Sequence, residues 1–361
     1  MDIPVAKHWP VAVPILAALL LGLALVAPLG ALLGVLCALG LIGAVTAAVH
    51  HAEVVAHRIG EPFGTLVLAL AVTVIEVALI VSIMLAGGPE AATLARDTLY
   101  ATVMIIGTGV IGLCVFLGAL RHGELEYRTQ GAGPALSALA ALATLILIMP
   151  VFTKSAGYAQ YNKAQLAFVA ASSFALWLVF VFFQTVRHRD FFLPKKSAAA
   201  DASEHAAPPT TSRAWASFGL LLVSLVGVVG LAKVLSPTVE ASVRSAGLPL
   251  AVIGVVIALV VLMPETVAAL RAALANRLQT SLNLALGSAL ATIGLTTPIV
   301  VVLCLAFDLP LVLGIEPKDV VLLALTLVIG SIGVGTGRAN MMQGAVQLVL
   351  FAAFLFLTVV P

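Results

Sequence analysis

The sequence has little charge: only 9% of its 361 residues are Asp, Glu, Lys or Arg, against about 25% in an average soluble domain. So few charged groups cannot cover a water-facing surface, which excludes a soluble fold. Disorder is excluded as well, because 62% of the residues are hydrophobic and disordered chains are poor in such residues. The net charge is only +2, and basic residues cluster only in short loops. Because nucleic-acid binding needs a basic surface, we expect no nucleic-acid partner.

Aromatic residues and cysteines are also scarce. Aromatic side chains make up 6% of the chain, and the three cysteines, Cys37, Cys114 and Cys304, all lie in apolar runs. Their spacing matches neither a disulfide framework nor a metal site, so we interpret them as small buried hydrophobic residues. No nucleophile, resident-metal or cofactor motif is visible, which argues against an enzyme.

Long runs of Leu, Val and Ala occur instead, each long enough to cross a bilayer as a helix. A membrane barrel would show short alternating segments. The sequence therefore predicts an all-α polytopic membrane protein in contact with the lipid bilayer. The eleven predicted spans are 11–27, 30–57, 64–86, 98–120, 133–151, 163–186, 214–234, 248–274, 280–304, 318–335 and 340–360.

The basic residues predict the orientation of these spans. Twelve of the 18 Lys and Arg residues lie on the side of the membrane that holds the N-terminus, and six lie on the other. Loops rich in Lys and Arg stay in the cytoplasm. We therefore expect a cytoplasmic N-terminus and, with an odd number of spans, a C-terminus outside.

One polar stretch near the middle of the chain, residues 188–213, has the composition of a linker. It separates five helices in 30–187 from five in 214–361, after one peripheral helix in 1–29. An odd number of helices on each side makes the second half enter the membrane with opposite polarity. This arithmetic indicates two inverted repeats, which in transporters place the binding site at the repeat interface.

Two acidic residues interrupt apolar runs, one in each half. Glu76 lies in LVLALAVTVIEVALIVSIML and Glu265 in VIGVVIALVVLMPETVAAL, each in the second helix of its repeat. An ionisable group at this depth is costly and by default indicates an ion or proton pathway. The alternative is a protonated carboxyl group that forms an interhelical hydrogen bond. We predict that both residues exchange protons and cations.

Polar residues near these glutamates are candidate ligands for the cation. Thr73 shares a helix face with Glu76, and Ser288 lies on a stripe of hydroxyl residues in the ninth helix. Asn340 and Gln343 line up in the last helix. Such stripes also serve as contacts between packed helices. Pro264 is expected to interrupt its helix and free a carbonyl oxygen near Val260.

A third cluster lies at the end of the second helix. It contains His50, Glu53, His57 and Glu61, of which the first three share a face. A zinc site is incomplete here, and the H-E-x-x-H motif is absent. A proton funnel or pH sensor fits better, because histidine titrates near physiological pH. Pairing of interfacial charges at a helix end is the third interpretation.

Several of these stretches resemble the calcium/cation antiporter superfamily, in its cation/proton exchanger branch. AEVVAHRIGEPFGTLVLALAVTVIEVALIVSI is similar to the first signature repeat, and MPETVAAL with LALGSALATIGLTTP is similar to the second. TGRANMMQG resembles the element D-G-K-S-N-W-x-E-G, with Gly337, Asn340 and Gly344 matching. Among known groups, the bacterial ChaA-type calcium (sodium, potassium)/proton antiporters resemble the chain best.

This resemblance implies eleven helices, a cytoplasmic central loop, a bacterial cytoplasmic membrane and two essential glutamates, which correspond to Glu76 and Glu265. The chain departs from the family at several amide positions. The signature G-N-x-x-E would place Asn at Thr73 and Leu262, and the Gln of G-S-x-x-Q is replaced by Ala291. These losses affect the choice of ion more than the mechanism.

The combined prediction is a secondary antiporter that exchanges a cytoplasmic cation for protons by alternating access. Ca²⁺ is the first choice of cation, and Na⁺ or K⁺ is the alternative. A cation channel would need a continuous polar pore, and polar stripes occur only near the two glutamates. The predicted metal-binding residues are Glu76, Glu265, Thr73, Ser288, Asn340 and Gln343, and no resident cofactor is expected.

Overall fold

The computed structural model describes residues 5–60, 63–192 and 209–361. Nearly all of these residues are helical, because each apolar run can satisfy its backbone hydrogen bonds internally only as a helix. The α-helices are α1 (Val5–Val26), α2 (Ala31–Ile59), α3 (Phe63–Gly87), α4 (Leu94–Met104), α5 (Ile111–His122), α6 (Thr129–Ala143), α7 (Met149–Phe152), α8 (Lys163–Phe182), α9 (Thr211–Ser245), α10 (Ala251–Leu274), α11 (Leu278–Ala291), α12 (Thr297–Ala306), α13 (Pro317–Thr336) and α14 (Met341–Val359).

Short π-helical turns join or extend several of these helices. Ile105–Val110 connects α4 to α5, Thr144–Ile148 connects α6 to α7, Phe183–Arg187 extends α8, and Thr292–Thr296 connects α11 to α12. Each set of joined helices therefore forms one continuous helical segment that is long enough to cross a membrane. Among the described residues, eleven helical segments are long and apolar enough to span a membrane. The all-α polytopic prediction is confirmed.

The predicted spans agree with the structure to within four residues, except at the start of the first, where α1 begins at Val5 rather than at residue 11, and at the end of the seventh. That span was expected to end at residue 234, but α9 continues to Ser245. The apolar pattern ends near Lys233, whereas the helix continues through Pro237 and Glu240. Pro264 likewise lies inside an unbroken α10, so the expected interruption of that helix is wrong.

One compact unit comprises residues 1–91 and 199–246. In it α2 packs against α1, α3 and α9, and α9 also contacts α1 and α3. The packed face of α2 is built from small residues, including Ala44, Ala47, Ala48 and Ala52, all fully buried. Such residues let helix backbones approach closely in lipid. Helix α1 keeps most of its side chains exposed, which fits the predicted peripheral position.

The second compact unit comprises residues 92–198 and 247–361. In it α10 packs against α4, α5 and α11, and α14 lies along α5. The strands β1 (Leu125–Glu126) and β2 (Arg338–Ala339) form an antiparallel ladder with Leu125 opposite Ala339. The order of helices is consistent with two five-helix repeats. The compact units do not coincide with them, since α9 belongs to the first unit together with α2 and α3.

The start of the predicted linker is packed rather than free. His188 begins a short 3₁₀ turn, Arg189–Phe191, and the Phe192 ring meets Phe180 edge to face at 6.1 Å. The Asn283 side-chain amide donates to the Phe192 carbonyl oxygen at 2.6 Å. At the other end, Thr210 caps α9. The polar segment between them, 193–208, lies outside the described residues.

Candidate functional site

Glu76 lies at the middle of the apolar span of α3, nine residues from either end of Val67–Leu85, or about 14 Å along a helix. Only 1% of its surface and 1% of that of Thr73 are exposed. The Thr73 hydroxyl donates to the Ala69 carbonyl oxygen at 2.8 Å, so its oxygen keeps a lone pair for another ligand. The predicted pair therefore presents buried oxygen atoms within the first unit.

Glu265 lies near the middle of α10 in the second unit. It is 14 residues from Ala251 and nine from Leu274, so about 14 Å of helix separates it from the nearer end. Arg271 in the last turn does not mark the end of the span, because the helix continues past it. Both predicted glutamates therefore lie deep within their own helices.

Glu265 and Ser288 line the same small cavity, of about 10 Å³, which is close to the space that one water molecule needs. Thr266 lines it too, together with apolar side chains. Those side chains include two from the π-helical turn between α4 and α5; the apolar lining is Ile106, Val110, Leu262 and Ala285. The structure thus brings together a carboxylate and a hydroxyl group that the sequence predicted as ligands.

Thr266 was not singled out by the sequence analysis, although it directly follows Glu265. Its hydroxyl donates to the Leu262 carbonyl oxygen at 2.7 Å. The π-helical turn was also missed. Such turns occur frequently at functional sites, and the second half carries another at Thr292–Thr296, where Thr292 and Thr296 are buried. Only the hydroxyl stripe of the ninth span hinted at that segment.

Asn340 and Gln343 do not line the Glu265 cavity. Asn340 caps the start of α14, where its side chain accepts from the Gln343 backbone amide at 3.1 Å. The Gln343 side chain in turn accepts from the Asn340 backbone amide, also at 3.1 Å. This reciprocal pair is a capping box. Both side-chain oxygens are therefore used in starting the helix, and we leave these residues out of the proposed ligand set.

Comparison with known proteins identifies the family. The sequence pattern of the family "Sodium/calcium exchanger protein" matches residues 29–186 and 216–360, which is most of the chain. The protein belongs to the sodium/calcium exchanger family. It is therefore a transporter rather than an enzyme, and inorganic cations and protons are its substrates.

Relatives of this exchanger are known from bacteria. The putative ionic transporter y4hA of Sinorhizobium fredii (strain NBRC 101917 / NGR234) is 46% identical over 321 residues, which cover 89% of this chain and 87% of that protein. The sodium-potassium/proton antiporter ChaA of Escherichia coli (strain K12) is 34% identical over 354 residues, covering 97% and 95%. The crystal structure of the H⁺/Ca²⁺ exchanger CAX shares the fold, with a TM-score of 0.72, 14% identity and coverage of 97% and 88%.

The exchanger's histidine cluster lies in the first unit, where α2 meets α1. The His50 ring contacts Trp9 at 5.2 Å between ring centroids, and the buried His51 approaches the Pro10 carbonyl oxygen through Nε2 at 2.7 Å. Glu53 and His57 are exposed, and Glu61 lies outside the described residues. Among the described parts of the chain, no three His, Cys, Asp or Glu side chains are grouped to hold a metal ion. The sensor interpretation stays a prediction.

A buried ion pair at the start of α4 was also missed by the sequence analysis. Arg96 meets Asp97 at 2.7 Å and donates to the Gly314 carbonyl oxygen at 3.2 Å. Thr93 donates to the other Asp97 oxygen at 2.9 Å. Because all of these partners are protein groups, we interpret the pair as a structural connection between α4 and the segment before α13.

The larger cavity of the second unit, about 50 Å³, contains neither glutamate. Leucines of α11 line it, with polar groups from Gln343, Gln347 and Tyr127. The Tyr127 hydroxyl donates to the Gly333 carbonyl oxygen at 2.6 Å, and burial raises the pKa of this phenol. Its mostly apolar lining makes this cavity a poor cation site.

Proposed function

We propose that this exchanger is a secondary antiporter that exports cytoplasmic Ca²⁺ in exchange for protons by alternating access. Glu76 and Glu265 carry both ions. The observation that supports this most directly is a carboxylate at the middle of one apolar helix in each half of the chain, with Glu265 facing a cavity shared with Ser288.

Coupling follows from the cost of leaving a carboxylate ionised in an apolar environment. Each glutamate is acceptable in two states: protonated and neutral, or ionised and paired with a cation. The empty ionised state is unfavourable, so the transporter does not change its access in that state. Cation movement in one direction then requires proton movement in the other.

Oxygen atoms are the ligands that Ca²⁺ prefers, six to eight of them at 2.3–2.6 Å. Glu76 with Thr73 in the first unit, and Glu265 with Ser288 in the second, each supply a carboxylate and a hydroxyl oxygen of this kind. Thr266 has the same disposition as Thr73, since each hydroxyl donates to its own helix. These are hard ligands, which suit Ca²⁺ and not a soft metal.

Na⁺/H⁺ or K⁺/H⁺ antiport is the second candidate. The relative from Escherichia coli, which matches nearly the whole chain, is named a sodium-potassium/proton antiporter. The amides that the family signature would place at Thr73, Leu262 and Ala291 are missing, which reduces the number of neutral ligands. Monovalent ions tolerate a smaller ligand set, so this chain is a candidate to transport both classes.

The proposed location is the bacterial cytoplasmic membrane, with the N-terminus in the cytoplasm. The uneven distribution of Lys and Arg supports this orientation. Cation export then uses the inward proton gradient of that membrane. Reporter fusions at the two termini would show the opposite result if the orientation were reversed.

Everted vesicles with a pH-sensitive dye test the activity. Adding Ca²⁺, Na⁺ or K⁺ in turn should release protons, and Glu76→Gln or Glu265→Gln should each abolish that release, because Gln keeps the volume but cannot carry a proton. Glu124→Gln, at an exposed carboxylate that pairs with Arg338, serves as the control and should behave as wild type. A glutamate variant that is inserted normally and keeps more than about a tenth of the wild-type rate would contradict the two-carboxylate mechanism.

A further inference from the structure

Helix α9 is longer than a bilayer requires. Glu240 lies 29 residues after Thr211, about 44 Å along a helix. The hydrocarbon core is about 30 Å thick. The start of α9 lies beside the end of α2, where Arg58 donates to the Thr211 hydroxyl at 2.8 Å. Glu240 therefore lies beyond the hydrocarbon core, at the end of the first unit away from the linker.

Glu240 lies against the last residue of α3. Its Oε1 atom is only 2.7 Å from the point where a Cβ atom on Gly87 would stand. That oxygen is buried and, among the described residues, has no hydrogen-bond partner. A buried acceptor without a partner is uncommon in proteins and indicates an ion or a water molecule.

A second such oxygen lies one helical turn earlier. Ser236 is on the same face of α9 as Glu240, and only 1% of its surface is exposed. Its hydroxyl likewise has no hydrogen-bond partner in the described chain. A carboxylate and a hydroxyl group are thus both buried on the face of α9 that meets the end of α3.

The end of α3 adds negative charge to this place. A 3₁₀ turn, Gly88–Ala91, directly follows α3 and continues its hydrogen bonding in part, and the negative end of the helix dipole lies here. A carboxylate beside this end is unfavourable unless a positive charge balances it. No side chain of the described residues donates to the buried Oε1.

We propose that Glu240, Ser236 and the carbonyl oxygens at the end of α3 form a peripheral binding site for a hard inorganic cation, which we call the α3-end site. A single carboxylate with neutral oxygens is typical of weak Ca²⁺ sites, with Kd values of about 10⁻⁴–10⁻³ M. The site lies 11 residues after Glu76 on the same helix, or about 16 Å. It holds a cation near the end of α3 and does not depend on the proposed antiport.

Equilibrium binding of radioactive Ca²⁺ to the purified full-length chain tests the site. The background is the double variant Glu76→Gln with Glu265→Gln, in which the proposed transport ligands are removed. We expect weak Ca²⁺ binding to remain there and to fall at least tenfold when Glu240→Gln is added. If transport used residues other than Glu76 and Glu265, the double variant would bind as much Ca²⁺ as wild type does. Adding Glu240→Gln would still lower the binding as expected.

Gly87→Ala probes the geometry without removing the charge. The added methyl group would occupy the place of Oε1 and displace the flexible Glu240 side chain from the end of α3. We expect it to weaken Ca²⁺ binding as Glu240→Gln does, in a protein that remains folded although the methyl group also lies 3.0 Å from the Ala91 Cβ atom. The control is Glu316→Gln, at a carboxylate whose pKa the hydrogen bond from Lys318 holds below its usual range. This control should bind as the background does.

Competition with Na⁺ shows which cations the site accepts. Displacement of Ca²⁺ by Na⁺ at equal charge concentration would indicate a general cation site, and resistance would indicate a divalent site; both support the proposal. Absence of residual binding, or residual binding that is insensitive to both Glu240→Gln and Gly87→Ala in folded protein, would overturn it.

Discussion

The two glutamates differ in their surroundings although they occupy similar positions in their helices. Glu76 is 1% exposed, whereas Glu265 is partly exposed and lines a cavity with Ser288. A carboxylate beside a space that holds one water molecule can exchange a proton through that water. On the proposed mechanism we therefore expect ions to enter at Glu265 and the proton or cation to be retained at Glu76.

Two hydroxyl groups in the Glu265 cavity provide a matched pair of variants. Ser288→Ala should raise the cation concentration for half-maximal exchange about 3- to 10-fold, since one neutral polar contact contributes about 1 kcal/mol. Thr266→Val should raise it by a similar factor, because the Thr266 hydroxyl oxygen lines the same cavity and, like that of Thr73, keeps a lone pair after donating to its own helix. Proton release from vesicles as a function of cation concentration measures both. An unchanged concentration for half-maximal exchange in the Ser288→Ala variant would remove Ser288 from the ligand set.

The contact between α5 and α14 is one of the closest between elements of the second unit. A Cβ atom on Gly344 would lie 2.5 Å from the Phe116 backbone nitrogen, and one on Gly112 would lie 3.2 Å from the Leu348 nitrogen. Backbone atoms cannot move away as a flexible side chain can. Glycine at both positions therefore allows the two helices to pack backbone against backbone, as small residues do in membranes.

Gly344→Ala should lower the free energy of unfolding by about 1–3 kcal/mol, the usual cost of overpacking a close contact. Gly219→Ala in α9 is the control, because nothing lies within 4 Å of the added methyl group and alanine favours helix more than glycine does. The unfolding temperature of the purified protein in detergent should fall for the first variant only. A Gly344→Ala protein as stable as wild type would show that these helices can separate freely.

The helices themselves were predictable from the sequence, because runs of about 20 apolar residues have few alternatives in a bilayer. The end of α9 was not, since the apolar pattern ends near Lys233 whereas the helix continues to Ser245. Glu76 and Glu265 were predictable because each interrupts an apolar run. Thr266 and the π-helical turns were not, because their positions depend on which helices meet, and the capping role of Asn340 depends on where α14 begins.

At the scale of the whole molecule, a linker joins the two halves of the chain, and the first residues of this linker pack against α8 and α11. The Phe192 end is packed and bonded to Asn283, and Gln279 donates to Asn283 at 2.9 Å. The Gln279 side chain also accepts from the Arg128 backbone amide at 2.6 Å. These hydrogen bonds attach the start of the linker to α6 and α11. Only the linker residues after Phe192 are therefore expected to lack a structural role.

Replacing Ser197 to Pro208 by a Gly/Ser segment of equal length should leave transport and unfolding temperature unchanged, because this composition provides little apolar surface to bury. Asn283→Ala should lower the free energy of unfolding by about 1–3 kcal/mol, since it leaves buried polar partners without hydrogen bonds. Proton flux in vesicles and thermal unfolding measure both variants. A Gly/Ser replacement that inserts normally but does not transport would assign the linker an active role.

The small ladder between β1 and β2 sets an order of events during synthesis. It pairs Leu125 with Ala339, so one strand leaves the ribosome more than 200 residues before its partner. At about 5–20 residues per second, the first strand waits roughly 10–40 s for the second. The Glu124–Arg338 contact and the Tyr127–Gly333 bond wait for the same interval. The ladder therefore closes only after every helix up to α13 has been made, and α14 is the one described helix of that unit still to be added.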